Sequence, residues 1–155
     1  MGLGMDTDSR VDNGSAQHEQ AVQGIKSILT LALEQEVNEI IAKHADMKDD
    51  QGHRLVVRNG KGRARKIVYQ NGAFEISAPR INDRRKGKRF KSRILPSYSR
   101  RLNNIDSTLE LLRTRGLNRE SFDDAVGKLF SNDGELLSPD SISSMREAWL
   151  DGVTR

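Results

Sequence analysis

Cysteine is absent from the 155 residues, which excludes disulfides, thiolate metal sites and cysteine nucleophiles. Histidine occurs only as His18, His44 and His53, and no two of these stand at metal-ligand spacing. No metal and no cofactor is therefore expected on this chain. Aromatic residues make up 5% and hydrophobic residues 35% of the sequence. That is too little apolar material for a large enzyme core, so buried regions should be small and local. No apolar run approaches the ~20 residues that a bilayer span needs. The acidic N-terminus lacks the apolar stretch of a signal peptide. The expectation is a soluble, cytoplasmic chain with no membrane partner.

What is present is segregated charge. Residues 1–50 carry four bases and ten acids, and residues 103–155 carry six bases and ten acids. Between them, residues 51–102 carry sixteen bases and only two acids, Glu75 and Asp83. The net charge of +4 thus hides an intensely basic middle flanked by acidic ends. Charge separated on this scale points to a polyphosphate partner. The bias towards Arg strengthens the point, because a guanidinium can hold a phosphate through two parallel hydrogen bonds.

The pattern along the chain predicts an α+β, mostly helical fold. Residues 1–18 read as a disordered tail. Over 19–46, Val22, Ile25, Leu29, Ala32, Leu33, Val37, Ile40 and Ile41 recur at helical steps. This long amphipathic helix needs a partner surface, either its own domain or a second copy in a homo-oligomer. Next, Leu55 to Val57 suggest a strand, followed by a glycine-containing loop, Arg58 to Gly62. Segments 66–70 and 73–78 flank Asn71-Gly72, the strongest short hairpin signal. A type I′ turn there places Tyr69 opposite Phe74 and Ile67 opposite Ile76, all on one apolar face, with Pro79 ending the second strand. Residues 80–101 then read as an extended basic arm with Phe90 and Tyr98 interleaved. The expected units are 19–101, holding the helix, hairpin and arm, and 102–155, holding three short helices. Asn118 and Ser138 are candidate N-caps and Gly116 a stop. The last helix carries Ile142, Met145 and Trp149, and the trio resembles a helix-turn-helix unit.

The candidate nucleic-acid contacts follow. In the strand region they are Arg58, Lys61, Arg63, Arg65 and Lys66. In the arm they are Arg80, Arg84, Arg85, Lys86, Lys88, Arg89, Lys91, Arg100 and Arg101. On the outward face of the third helix they are Ser141, Ser143, Ser144 and Arg146. The basic residues would neutralise phosphates, and the helix would read bases. Catalysis is not expected. The hairpin carries one acid, Glu75, and no cluster of carboxylates suggests a two-metal site. The stretch Lys61 to Lys66 lacks the Gly-Lys-Ser/Thr ending of a nucleotide-binding loop. His44 and His53 read as surface residues.

A set of short matches gives these features a family. They include Leu33-Glu34-Gln35-Glu36-Val37, Arg58-Asn59-Gly60, and Gly72 to Arg80. Phe90, Leu95-Pro96 with Tyr98, and Arg100-Arg101 follow, then Leu111-Leu112, Arg115-Gly116-Leu117, Phe122 to Phe130 and Ser138 to Ser143. In order and spacing over about residues 30–145, the chain resembles the N-terminal part of Mutator-type transposases of bacterial insertion sequences. The resemblance implies binding to double-stranded DNA at the element's terminal inverted repeats, in a prokaryotic, nucleoid-associated setting. It also implies that cleavage belongs to a later ribonuclease-H-like domain with an Asp-Asp-Glu triad and divalent metals such as Mg²⁺. The chain stops just past the third helix, at Arg155, so it is expected to lack that domain, as a truncated product, and to be inactive alone. Two other classes remain open on the residues themselves: an RNA-binding module using the hairpin and arm, and an interaction protein coupled through helix 19–46.

Overall fold

The computed structural model describes residues 2–97, 99–102, 104–130 and 136–153, residues 2–14 by backbone alone. Four helices and four strands follow in the order α1 (Gly2–Lys43), β1 (Val56–Lys61), β2 (Arg65–Tyr69), β3 (Gly72–Ile76), β4 (Pro79–Asp83), α2 (Ile105–Arg115), α3 (Arg119–Phe130) and α4 (Pro139–Val153). This is the expected α+β, mostly helical architecture. The strands form two separate two-stranded antiparallel sheets, β1 with β4 and β2 with β3.

Helix α1 organises the rest. Ala21, Ile25, Ile28, Leu29, Ala32, Leu33 and Val37 are buried along one stripe, and all but Val37 join one continuous core with residues from β2, β3, α2, α3 and α4. The stripe is thus covered from within the chain, and the three C-terminal helices share a core with α1 rather than forming a separate one. The helix also starts at Gly2, whereas the sequence suggests a disordered tail over 1–18. Ala16, Gln17, Glu19 and Gln20 are good helix formers, and a helix nucleated by packing over 21–37 extends through them at little cost. His18 then meets the hairpin, its Nε2 lying 3.0 Å from Tyr69 Oη.

The cap signals behave as the sequence suggests. Asn118 Oδ1 accepts from Ser121 N at 3.0 Å at the start of α3, and Ser138 Oγ accepts from Ser141 N at 3.1 Å at the start of α4. Gly116 ends α2 with φ 79. The break expected at Ser131 to Gly134, and Tyr98, lie outside the described residues.

The β region departs from expectation in two ways. The hairpin forms, but Tyr69 pairs with Gly72 and Ile67 with Phe74. The register is displaced by two residues, which keeps Ile67, Tyr69, Phe74 and Ile76 on one face. They are all buried. Gly72 does not have positive φ, so the turn is not type I′. Glycine is required there for room: a Cβ on Gly72 would lie 2.7 Å from Tyr69 Oη and 2.9 Å from Cζ. The second departure is Pro79, which opens β4 instead of ending a strand. Proline is tolerated at the first position of a strand at a sheet edge. Residues 79–83 pair with 56–61, with an irregularity between Arg58 and Lys61, where Gly60 has φ 64. Arg58 to Lys61 is therefore strand, not loop, and Arg80 sits on a strand, not on an arm.

Gly72→Val is expected to cost about 1–3 kcal/mol through overpacking against the Tyr69 ring. Lys66→Ala, on the exposed face of the same hairpin, should stay within about 0.5 kcal/mol. Thermal melts of the two variants compare them directly, and equal melting temperatures would refute the close approach of Gly72 to Tyr69.

Candidate nucleic-acid interface

The basic residues divide into those that build the surface and those left facing outward. Arg58 on β1 forms a close two-point pair with Glu34 on α1, fastening the sheet to the helix. The hydrogen bond from Arg58 holds the Glu34 carboxyl below the usual carboxylate range. Arg65 on β2 donates to the carbonyls of Leu95, Pro96 and Ser99 at 3.3, 2.6 and 2.7 Å. Arg101 meets Asp106 Oδ2 at 2.5 Å, and Asp106 Oδ1 accepts from Gln70 N in the hairpin turn at 2.7 Å.

These contacts tie parts of the basic arm to the rest of the fold. Arg84 N donates to Leu55 O at 2.9 Å, continuing the β1–β4 pairing, and Val68 N donates to Arg100 O at 2.7 Å along the β2 edge. Between those points, Glu36 on α1 grips the chain. Its carboxylate, on a residue only 7% exposed, accepts from Ser92 Oγ at 2.5 Å, Arg93 N at 2.8 Å and Ile94 N at 3.3 Å. Ile94 and Leu95 are buried just beyond. Like charges that would keep a free segment extended are here held down by carboxylates and carbonyls from elsewhere in the fold.

Residues 86–91 form a bulge that is exposed except at Phe90. The Arg84 guanidinium reaches back to Asp49 Oδ2 at 3.2 Å and Arg54 O at 2.8 Å. Arg85 clasps Asp83 through Nε at 2.8 Å and Nη2 at 2.7 Å, and its Nη1 donates to His44 Nε2 at 2.8 Å. His44 Nδ1 is 2.9 Å from Ile40 O. A carbonyl only accepts and a guanidinium only donates, so these two contacts match the tautomer of His44 that donates from Nδ1 and accepts at Nε2. His44 is thus half-buried between helix and loop, whereas His53 is exposed. The hydrogen bond from Arg85, opposed by burial and helped by backbone donors, pulls the Asp83 carboxyl down to about 2. It stays ionised throughout the neutral range.

The outward cations are Lys61, Arg63, Lys66, Arg80, Lys86, Lys88, Arg89, Lys91 and Arg100, all exposed. None makes a salt bridge within 4 Å among the described residues, although the charge of Lys61 helps to lower the Glu34 carboxyl. The first four surround the turn from β1 to β2, where Gly62 lets the Arg80 stem pass 3.6 Å from where its Cβ would be. The next four belong to the 86–91 bulge.

Helix α4 offers less than expected. Ser141 is buried, and its hydroxyl donates to Glu39 Oε1 on α1 at 2.7 Å. Burial pushes the Glu39 carboxyl up, but the hydrogen bonds from Ser138 and Ser141 outweigh it and leave the group below its usual range. Arg146 Nε donates to Asp123 Oδ1 on α3 at 2.8 Å. Ser143 and Ser144 are exposed beside the exposed acids Asp140, Glu147 and Asp151. Residues that sequence reasoning passed over, Glu36, Asp83 and Asp106, prove to organise the basic region. Asp83 had a visible signal, being one of only two acids among sixteen bases.

Among the described residues, no three His, Asp or Glu side chains converge where a metal ion could be held. The divalent metals implied by the family resemblance thus find no fitting donor set among them. No described helix is long and apolar enough to cross a membrane.

A family model described as "Transposase, Mutator family" matches residues 6–155. No curated protein and no solved structure matches the chain.

Proposed function

The chain belongs to the Mutator family of transposases, with the role in DNA transposition that membership implies, and from this premise we propose that it binds the terminal inverted repeats of its element. Phosphates are taken by the outward cations of the β region and the 86–91 bulge. Base reading falls to α4, as the second helix of a helix-turn-helix formed with α3. Ser143 and Ser144 stand on its open face, and Arg146 joins them if it leaves Asp123. Strand cleavage is assigned to no residue of this chain.

The observation that carries this reading is the division of the arginines and lysines. Arg58, Arg65, Arg84, Arg85 and Arg101 are engaged within the protein, while the outward cations project from one framework and make no salt bridge among the described residues. A surface evolved only for solubility has no need of so one-sided a field.

The test is a salt titration on terminal-repeat and random duplexes. Each phosphate contact contributes about 0.9 to the slope of log affinity against log salt. Replacing Lys88 and Arg89 together by alanine should lower the slope by about 1.8 on both duplexes. Ser143→Ala with Ser144→Ala should leave the slope unchanged and weaken only the repeat sequence. Unchanged slopes in the Lys88/Arg89 variant would remove the bulge from the interface. Preference of the wild type for structured RNA over both duplexes would favour an RNA-binding module instead.

A further inference from the structure

The near end of the 86–91 bulge is clamped by one carboxylate. Asp83 Oδ1 accepts from Arg85 N at 3.2 Å and Arg85 Nε at 2.8 Å, and Oδ2 accepts from Arg85 Nη2 at 2.7 Å. The far side of the bulge is held separately, by the Glu36 carboxylate that accepts from Ser92 Oγ at 2.5 Å and Arg93 N at 2.8 Å. The Asp83 side chain is 2% exposed. At the apex, Gly87 has φ 69 with open space where a Cβ would stand. Its conformation, not its neighbours, demands glycine. Around this frame lies a concavity of about 790 Å³ lined by Arg84, Gly87, Lys88, Arg89 and Lys91.

We infer that Asp83 is a positioning residue for backbone phosphate: by clamping Arg85 at the near end of the 86–91 bulge, it fixes the base from which Lys88, Arg89 and Lys91 project around one concavity. The inference rests on the reading of this region as a DNA surface, and it names the residue on which the surface depends. An acid inside a phosphate-binding segment should weaken binding by its charge alone. Here the carboxylate's charge is taken up by Arg85, and its hydrogen bonds remove the freedom that three repelling cations would otherwise have. Cations fixed in place lose less entropy on meeting a phosphate than cations on a loose loop.

The two effects predict opposite outcomes for Asp83→Asn. If charge alone matters, the variant gains net positive charge, binds duplex more tightly and keeps or raises its salt slope. If Asp83 positions the loop, the variant binds more weakly despite that gain, and the slope falls by about 0.9 for each phosphate that is no longer engaged. A second variant leaves charge untouched. Gly87→Val meets nothing in space but resists the positive φ, so it should reshape the loop, lower the slope similarly and leave the melting temperature near wild type. Melting curves accompany both variants. Should Asp83→Asn fail to fold, Gly87→Val alone decides. Wild-type binding with equal or tighter binding by folded Asp83→Asn, or an unchanged slope in Gly87→Val, overturns the inference. If the wild type itself shows no salt-dependent binding to either duplex, the DNA reading fails and takes this inference with it.

Discussion

Trp149→Ala is expected to lower stability by about 3–5 kcal/mol, enough to unfold much of a protein of ordinary stability. Trp149 is 2% exposed. Its ring meets Phe122 of α3 at a centroid distance of 5.3 Å, and its Nε1 donates to Gly24 O of α1 at 3.0 Å. One side chain therefore joins three helices. The close fit depends on Gly24, where a Cβ would come within 2.8 Å of Leu117 Cδ2 and 3.5 Å of Trp149. Truncation leaves a cavity that α4 cannot fill, since Ser141 at the other end of the same face is tied to Glu39. Urea denaturation monitored by circular dichroism measures the loss. A change below about 1 kcal/mol, the size of a surface substitution, would show that α4 does not rest on α1.

Glu36→Ala should rank second, at about 3 kcal/mol. It strips the acceptor from two backbone N–H groups and from the Ser92 hydroxyl, and each buried donor left unpaired costs about 1–3 kcal/mol. Ser92 Oγ in turn accepts from Leu95 N at 3.1 Å, so the damage passes to the residues that bury the segment. Glu36→Gln keeps one acceptor oxygen and should lose less. The local consequence is as telling as the global one. Trypsin should cut after Arg89, Lys91 or Arg93 much faster in Glu36→Ala than in the wild type, under conditions where α2 to α4 stay folded. Equal cleavage rates would mean that the segment is held by something other than this carboxylate.

Much of the fold is legible in local patterns. The α1 stripe is readable because helical periodicity is a property of neighbouring residues, and Asn118, Ser138 and Gly116 work as caps and stop because capping is settled within four residues. The hairpin's apolar face is equally legible, since alternation survives a displacement of two. Its register is not. Asn71-Gly72 carries a strong turn preference, but the packing of the Tyr69 ring against position 72 overrides it. Pro79 misleads for the same reason: whether it ends one strand or opens another depends on β1, eighteen or more positions away in the chain. The basic segment shows the limit most clearly. Its charge announces a polyanion partner, yet its order comes from Glu36 on a helix fifty-odd residues earlier, and no local pattern reveals that pairing. The same holds at Arg146 and Ser141, whose helix face is outward or inward only by virtue of Asp123 and Glu39.

The two sheets are nested, β2–β3 lying within the stretch of chain that β1 and β4 enclose, and this favours one order of assembly. Pairing β1 with β4 from an unfolded chain means closing the long stretch between Lys61 and Pro79, with its attendant loss of loop entropy. Once the inner hairpin has formed, the ends of that stretch are already near one another, and the outer closure becomes short-range. The inner hairpin is local and can form on the microsecond scale of an isolated turn, although such a hairpin is marginal in water until another surface covers it. That surface is α1, which precedes both sheets in the chain and is already a helix-forming segment. The cations of the 86–91 bulge follow the outer strand directly and are therefore among the last groups set in place.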